Sequence, residues 1–534
     1  MLIVSILLFQ IIQSIEIINP SEVKIGMEGF GLSTFQGVKI DTFNVKITGI
    51  LPPSPTGSEI ILAELKGDVV DEAGVLAGMS GSPVYLEGKL LGAVAYSWLF
   101  AKKPICGITP FIDMKRGRAS SHSGFGGLTP IKPILNATGF PSRSIPLLDS
   151  LPGVFLLTSG LQGGMVDNPA PIAPGGVCGV TLVTGDGNIS AMGTITAVSG
   201  DTIYAFGHSA FGTGISCLPL CEGMVSSYLP SYYSSFKFAN PGNIIGTIVS
   251  DGVSGIKGIL KKDPPMVNCR MRLNDVKRNY RVTSMKSFLP GLTSFLLFAN
   301  WIEEIGVYNP ITLKGSIMLY TNQGNVSFSS VMSGEYLHMD IYRRTMDFLR
   351  EIEDNRYKDV EVDSIAIDIG TLPLIKEYRI KEIQLTKRDF KPGEKVKASI
   401  IIERYREPDT TINVDFKTPL SPCDLLVMAS GRDEFLRYEK NRVPLNFQFD
   451  NFSEWKDFIN TLPSHDRVVL SFYKKGSLIG TKEGELKDIP ISLLSILKEN
   501  DEAPSHNFYL IDKKEVIFPG PVIGEDVKKI EVRR

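Results

Sequence analysis

The chain has 534 residues, of which 43% are hydrophobic and 21% charged, and its 56 basic and 58 acidic side chains leave a net charge of −2. That is a globular balance, long enough for three or four compact units at roughly 150 residues each. There is no excess of positive charge and no long basic run, so no nucleic-acid partner is expected.

From the N-terminus, Leu2 to Ile12 is an apolar run interrupted only by Ser5 and Gln10. It is too short to span a bilayer and matches the apolar region of a signal peptide, with Ser14 the one small residue near the expected cut. Residues 1–17 are therefore read as an export signal, which would place the protein in the periplasm, the envelope or outside the cell. A buried first strand is the alternative.

Up to residue 330, glycine and proline punctuate short β-branched runs: Val45 to Ile50, Glu59 to Leu65, Val84 to Leu86, Leu90 to Tyr96 and Val180 to Val183. Short runs bounded by turn residues predict strands of a barrel or sandwich. The Gly-, Pro- and Ser-rich stretch from Gly124 to Asp167 reads as a joint between two lobes. Ile341, Met346, Phe348, Leu349 and Ile352 lie on one face of a charged segment and predict an amphipathic helix over about 338–353. A shorter helix is expected over Glu454 to Leu462, capped by Ser453. From Asp359 onward, alternation such as Val360-Glu361-Val362 and the turn Lys391-Pro392-Gly393-Glu394 predict an immunoglobulin-like β-sandwich over 359–534.

The six cysteines are Cys106, Cys178, Cys217, Cys221, Cys269 and Cys423. They are scattered, and only Cys217 and Cys221 are close together. A lone C-x-x-x-C is a poor metal signature, so packed thiols or one optional disulfide are expected, with no metal.

The sharpest local pattern is Gly78-Met79-Ser80-Gly81-Ser82-Pro83, feeding Val84-Tyr85-Leu86, the turn Glu87-Gly88-Lys89, and Leu90-Leu91-Gly92-Ala93. Glycines on both sides of Ser80 permit a tight loop that presents its hydroxyl while backbone N–H groups converge. Read alone, the pattern fits a plain Gly/Ser turn equally well. A serine nucleophile needs a base, and the chain holds only five histidines: His122, His208, His338, His465 and His506. His208 follows the strand-like Thr202 to Ala205 and sits among glycines, as a residue facing a cleft would. The other four have loop or polar surroundings and read as bystanders.

Taken together, these segments resemble the SpoIVB peptidase family. The 78–83 hexapeptide is similar to that family's nucleophile motif, and Gly193-Thr194-Ile195-Thr196 with Gly200-Asp201 and Ala205-Phe206-Gly207-His208 is similar to its histidine segment. Further similarity lies at Gly29-Phe30-Gly31-Leu32-Ser33-Thr34-Phe35, Gly107-Ile108-Thr109-Pro110, Pro219-Leu220, Ser235-Phe236-Lys237 and Gly246-Thr247-Ile248. The resemblance spans roughly residues 18 to 330.

It implies a mostly β fold with a trypsin-like double β-barrel over 18–345, made of a serine lobe about 18–123, a histidine lobe about 170–330 and the closing helix. It implies a serine endopeptidase in which Ser80 attacks and His208 accepts and returns the proton. The N–H groups of Gly78 and Ser80 would form the oxyanion hole, Ser82 would be a structural loop residue, and no cofactor would be needed. The family's acid position falls on Leu65, which leaves Asp68 as orienting acid, with Asp71 or Asp201 as alternatives. The serine precedes the histidine here, which implies a permuted arrangement of the lobes. No PDZ module is recognised. The expected partners are a protein or peptide substrate and an envelope protein. Two other readings stay open: a catalytically silent envelope binding protein that keeps the fold, and a nucleophile at Cys217 or Cys221.

Overall fold

The computed structural model describes residues 15–52, 59–117, 127–131, 133–150, 157–159, 166, 168–481, 484–490 and 505–534. The apolar run Leu2 to Ile12 and His122 lie outside them. The chain divides into two compact units, Met1–Cys269 with Asn279–Ala299, and Arg270–Arg278 with Asn300–Arg534.

The first unit begins with strands β1 (Glu28–Thr34), β2 (Ile40–Leu51) and β3 (Ile60–Lys66). Helix α1 (Asp68–Ala73), strands β4 (Pro83–Leu86), β5 (Lys89–Ser97) and β6 (Ile105–Pro110), and helix α2 (Phe111–Arg116) follow. Their pairing order is β4-β1-β2-β3-β6-β5, and β5 pairs back onto β4, so six strands close into a barrel. Alternation explains its interior. Phe43, Val45 and Ile47 of β2, Ala63 and Leu65 of β3, and Cys106 and Ile108 of β6 point into one buried core with Val84, Leu91 and Val94. The chain is tied to this barrel from residue 16, because the Leu90 N–H donates to the Glu16 carbonyl at 2.8 Å and the Ile18 N–H to the Leu90 carbonyl at 3.2 Å. Those contacts begin inside the segment read as an export signal.

Short strands β7 (Thr129–Pro130), β8 (Ile134–Thr138) and β9 (Leu157–Ser159) occupy the stretch read as a joint. Then come β10 (Val177–Gly185), β11 (Asn188–Ser199), β12 (Thr202–Ala205), β13 (Gly214–Leu229), β14 (Phe236–Gly252) and β15 (Gly255–Leu260). Their antiparallel pairings run β10-β13-β14-β15-β12-β11, and β11 pairs with β10. The apolar run around Phe295 to Ala299 lies in the helix Leu289–Glu304, and among the described residues no helix is long and apolar enough to cross a membrane.

In the second unit, Ile311–Thr321 pairs with both Val326–Gly334 and Val362–Leu372. One ladder therefore straddles the expected boundary between 345 and 359. The helix His338–Glu353 lies in this unit, not in the first, and buries Ile341, Phe348, Leu349 and Ile352 on one face. Beyond it, two sheets share a core that includes Ile380, Ile400, Ile402, Val427, Leu470 and Phe472. The immunoglobulin-like order is not shown. Helices Arg432–Arg442 and Phe452–Thr461 fall between strands of the second sheet, and Tyr378–Leu385 pairs in parallel with Val522–Ile523. The second helix starts earlier than its apolar pattern suggests: Asn451 caps it by accepting from the Glu454 N–H at 3.0 Å, and Ser453 is inside it.

Candidate active site

The 78–83 loop leaves α1, turns back on itself and enters β4. Gly78 and Gly81 have φ of +94° and +98°, conformations that side chains rarely adopt. Gly81 is also in close contact: a Cβ there would lie 1.9 Å from the Thr194 carbonyl oxygen and 2.5 Å from the Phe206 nitrogen. The loop is riveted to β11 from both sides. The Thr194 N–H donates to the Ser80 carbonyl at 2.9 Å, the Thr194 hydroxyl to the Gly78 carbonyl at 2.8 Å, and the Thr196 hydroxyl to the Gly81 carbonyl at 2.7 Å.

His208 is delivered by the end of β12. Phe206 and Gly207 both have φ of +68°, which turns the chain sharply just before the histidine. A bulky residue in that region is strained, and the surroundings must hold it there. The Phe206 ring packs over Gly193, where a Cβ would sit 2.9 Å from it, and the Thr109 hydroxyl donates to the Gly207 carbonyl at 2.6 Å.

These two turns bring Ser80 Oγ to 2.5 Å from His208 Nε2, and Ser80 Oγ also lies 2.6 Å from the Phe206 carbonyl oxygen. The hydroxyl has one proton, so it serves one of these acceptors at a time. On the far side of the ring, Nδ1 is 2.7 Å from the Ser209 carbonyl oxygen. A carbonyl can only accept, so Nδ1 carries the proton and Nε2 of the neutral ring is free to accept from Ser80. Both residues are buried, Ser80 at 0% and His208 at 2% exposure. Burial holds the imidazole below its ordinary pKa of 6.5, against the opposing pull of the Ser209 and Ile131 backbones and the Asp251 charge.

Within the loop, the Met79 N–H donates to the Leu76 carbonyl at 3.0 Å and the Gly81 N–H to the Val94 carbonyl at 2.8 Å. Among the described residues, the N–H groups of Gly78 and Ser80 have no acceptor.

None of the three aspartates considered from the sequence meets the imidazole. Asp68 and Asp71 are exposed on α1, and Asp201 is exposed in an ion pair with Lys261 at 3.0 Å. The acid beside His208 is Asp251, on β14 and 1% exposed. It does not touch the ring. Its carboxylate accepts from the N–H groups of Ala210 at 2.7 Å, Phe211 at 2.8 Å and Thr213 at 3.3 Å, pinning the turn that follows His208. In the sequence Asp251-Gly252 reads as a hairpin turn, and only an acid ending a long apolar strand marks it as unusual.

The cysteine alternative has no support in the geometry. Cys221 is fully buried and its thiol is pushed up to about 12 by that burial, which keeps it protonated, while Cys217 contacts Met285. Among the described residues, no group of three His, Cys, Asp or Glu side chains is arranged to hold a metal ion.

The family described as SpoIVB peptidase S55 has a sequence model that matches residues 8–115 of this chain. The match covers the six-stranded barrel and the Ser80 loop and ends before the strands that carry His208. No curated protein and no solved structure matches the chain.

Proposed function

We propose that the protein is a serine endopeptidase in which Ser80 is the nucleophile and His208 its base. The observation that carries this reading is the 2.5 Å approach of Ser80 Oγ to His208 Nε2, on a loop inside the region matched by the SpoIVB peptidase S55 family. In this reading, Ser80 Oγ attacks the scissile carbonyl and its proton passes to Nε2. The N–H groups of Gly78 and Ser80, left without internal acceptors, receive the developing oxyanion. The imidazolium is held by the Ser209 carbonyl at Nδ1 and by the nearby Asp251 charge, so a backbone carbonyl takes the place of a directly bonded acid. His208 then protonates the leaving amine, and water releases the acyl group by the reverse sequence.

The pairing cycle β10-β13-β14-β15-β12-β11 is read as the second barrel of such a peptidase, with a protein substrate and export to the envelope following from the same reading. Because Ser80 is fully covered, a substrate carbonyl reaches it only after local opening, and the Phe206 carbonyl must give up its hold on the hydroxyl. That cover also favours a second reading, a silent envelope binding protein that retains the fold.

Labelling of the purified full chain with a fluorophosphonate probe separates the two. The probe requires an activated serine. The parent is expected to label, and Ser80→Ala and His208→Ala, both folded by circular dichroism, are expected not to. A folded parent that stays unlabelled would decide for the silent protein.

A further inference from the structure

Lys237 lies on β14 and is 2% exposed, yet among the described residues no carboxylate lies within ion-pair distance of its ammonium. Burial pulls the Lys237 amine down to about 7, against the opposing charge of Asp41, and such a buried, perturbed amine tends to persist where it has a use. Three observations point that use at the nucleophile loop. Nζ donates to Ser33 Oγ of β1 at 2.7 Å, and Ser33 Oγ is 2.9 Å from Ser82 Oγ, two residues beyond Ser80. The Lys237 N–H donates to the Ala77 carbonyl at 3.0 Å, just ahead of Gly78. The side-chain stem forms the wall beside Gly78, with Cβ and Cδ both 3.4 Å from where a glycine Cβ would stand. The ammonium also sits over the Phe35 ring, 5.1 Å from its centroid, so an aromatic face supplies part of the solvation that water would otherwise give.

The chain of donors has a direction. When charged, Nζ can only donate, so Ser33 Oγ accepts from it and turns its own proton toward Ser82 Oγ. The Gly78–Ser82 segment is thereby gripped at both ends, by the Lys237 backbone at Ala77 and by the ammonium relay at Ser82. Between these grips lie the two N–H groups that have no acceptor and the Ser80 hydroxyl.

We infer that Lys237 is a positioning residue for the peptidase site, holding the 78–82 loop in its oxyanion-binding shape through Ser33 and Ser82. This rests on the Ser80–His208 reading. Lys237 touches neither reacting atom and acts only through the loop.

Lys237→Met keeps the stem and removes the charge. Ser33 and Ser82 remain bonded to each other, so no buried hydroxyl is orphaned and the variant is expected to fold with a Tm equal to or above the parent's. Fluorophosphonate labelling kinetics on the full chain then separate the maximal inactivation rate from probe affinity. In Lys237→Met and in Ser33→Ala the rate is expected to fall by about 10- to 100-fold, the penalty of a misaligned reacting group, with affinity unchanged. A merely structural lysine would lower Tm and leave the rate of the folded fraction alone. Lys237→Met labelling at the parent's rate would overturn this inference by itself. A folded parent that never labels would overturn the Ser80–His208 reading, and this inference with it.

Discussion

At Ser80 a single proton has two acceptors within reach, the Phe206 carbonyl and His208 Nε2, and the histidine's state decides which one matters. A neutral ring with Nδ1–H on the Ser209 carbonyl is a base; a protonated ring is not. Burial lowers the folded pKa below 6.5, so the ring stays neutral to lower pH than a free histidine would. The histidine's acid limb in the labelling rate should therefore lie below pH 6.5, at the lower folded value. Stability follows the same window. Below 6.5 the unfolded chain binds a proton that the folded site resists, so this contribution is complete above 6.5 and is lost as pH falls. Asp251 pulls in the opposite direction and pins the turn at Ala210 and Phe211. Asp251→Asn should slow labelling by about 10- to 100-fold and move its acid limb further down. Asp68→Asn, Asp71→Asn and Asp201→Asn, all at exposed positions, should stay within about twofold of the parent. A pH profile of labelling rate across the five proteins checks both expectations.

At the scale of elements, the site is a seam. The serine loop belongs to the six-stranded barrel, while Thr194, Thr196 and the Phe206 turn belong to β11 and the end of β12. The two meet at a backbone-to-backbone distance that only glycine allows. Gly81→Ala would drive a methyl group into the Thr194 carbonyl and the Phe206 N–H while forcing alanine to a φ near +98°. Neither neighbour is a flexible side-chain end, so the seam itself must open. The expected result is a loss of at least about 3 kcal/mol of stability in urea unfolding, together with loss of labelling in whatever fraction folds.

Across the whole molecule, Ser80, His208, Asp251 and Lys237 all fall in the first compact unit. The second unit has a polar core of its own. Arg442, its side chain 1% exposed, binds Glu439 and Glu485, and Glu439 also accepts from the Tyr473 hydroxyl at 2.9 Å. Among the described residues, Arg442→Ala would leave the buried Glu439 with only the Tyr473 hydroxyl and the half-buried Glu485 with only Lys487, at about 3–5 kcal/mol. The thermal transition of the second unit should move down while the labelling rate of Ser80 at 25 °C stays at the parent's value. A parallel fall in labelling would show that the site depends on that unit.

The strands were legible in the sequence because alternation is local: Phe43, Val45 and Ile47 declare their shared face without reference to any partner. The pairing of Ser80 with His208 was proposed from a glycine-flanked motif and from a segment resembling a known one among few histidines, and the structure brings the two side chains to 2.5 Å. The expected acids failed for a physical reason. An orienting charge is chosen by what lies beside the imidazole, and β14 brings Asp251 there from a part of the chain that reads as a plain turn. Lys237 shows the same limit more sharply. In Phe236-Lys237-Phe238 the period of two predicts the phenylalanines inside and the lysine out, whereas the lysine is buried and both rings are partly exposed. The sequence by itself determined strands β2 to β5 of the barrel and singled out the glycine-flanked Ser80 loop and the His208 segment, since each of these patterns depends on neighbours along the chain. Tertiary structure alone decided which acid stands behind the histidine, which cation braces the loop and where the compact units divide. Those are settled by burial and by contacts between strands far apart in sequence, where electrostatic cost depends on surroundings that no local pattern records.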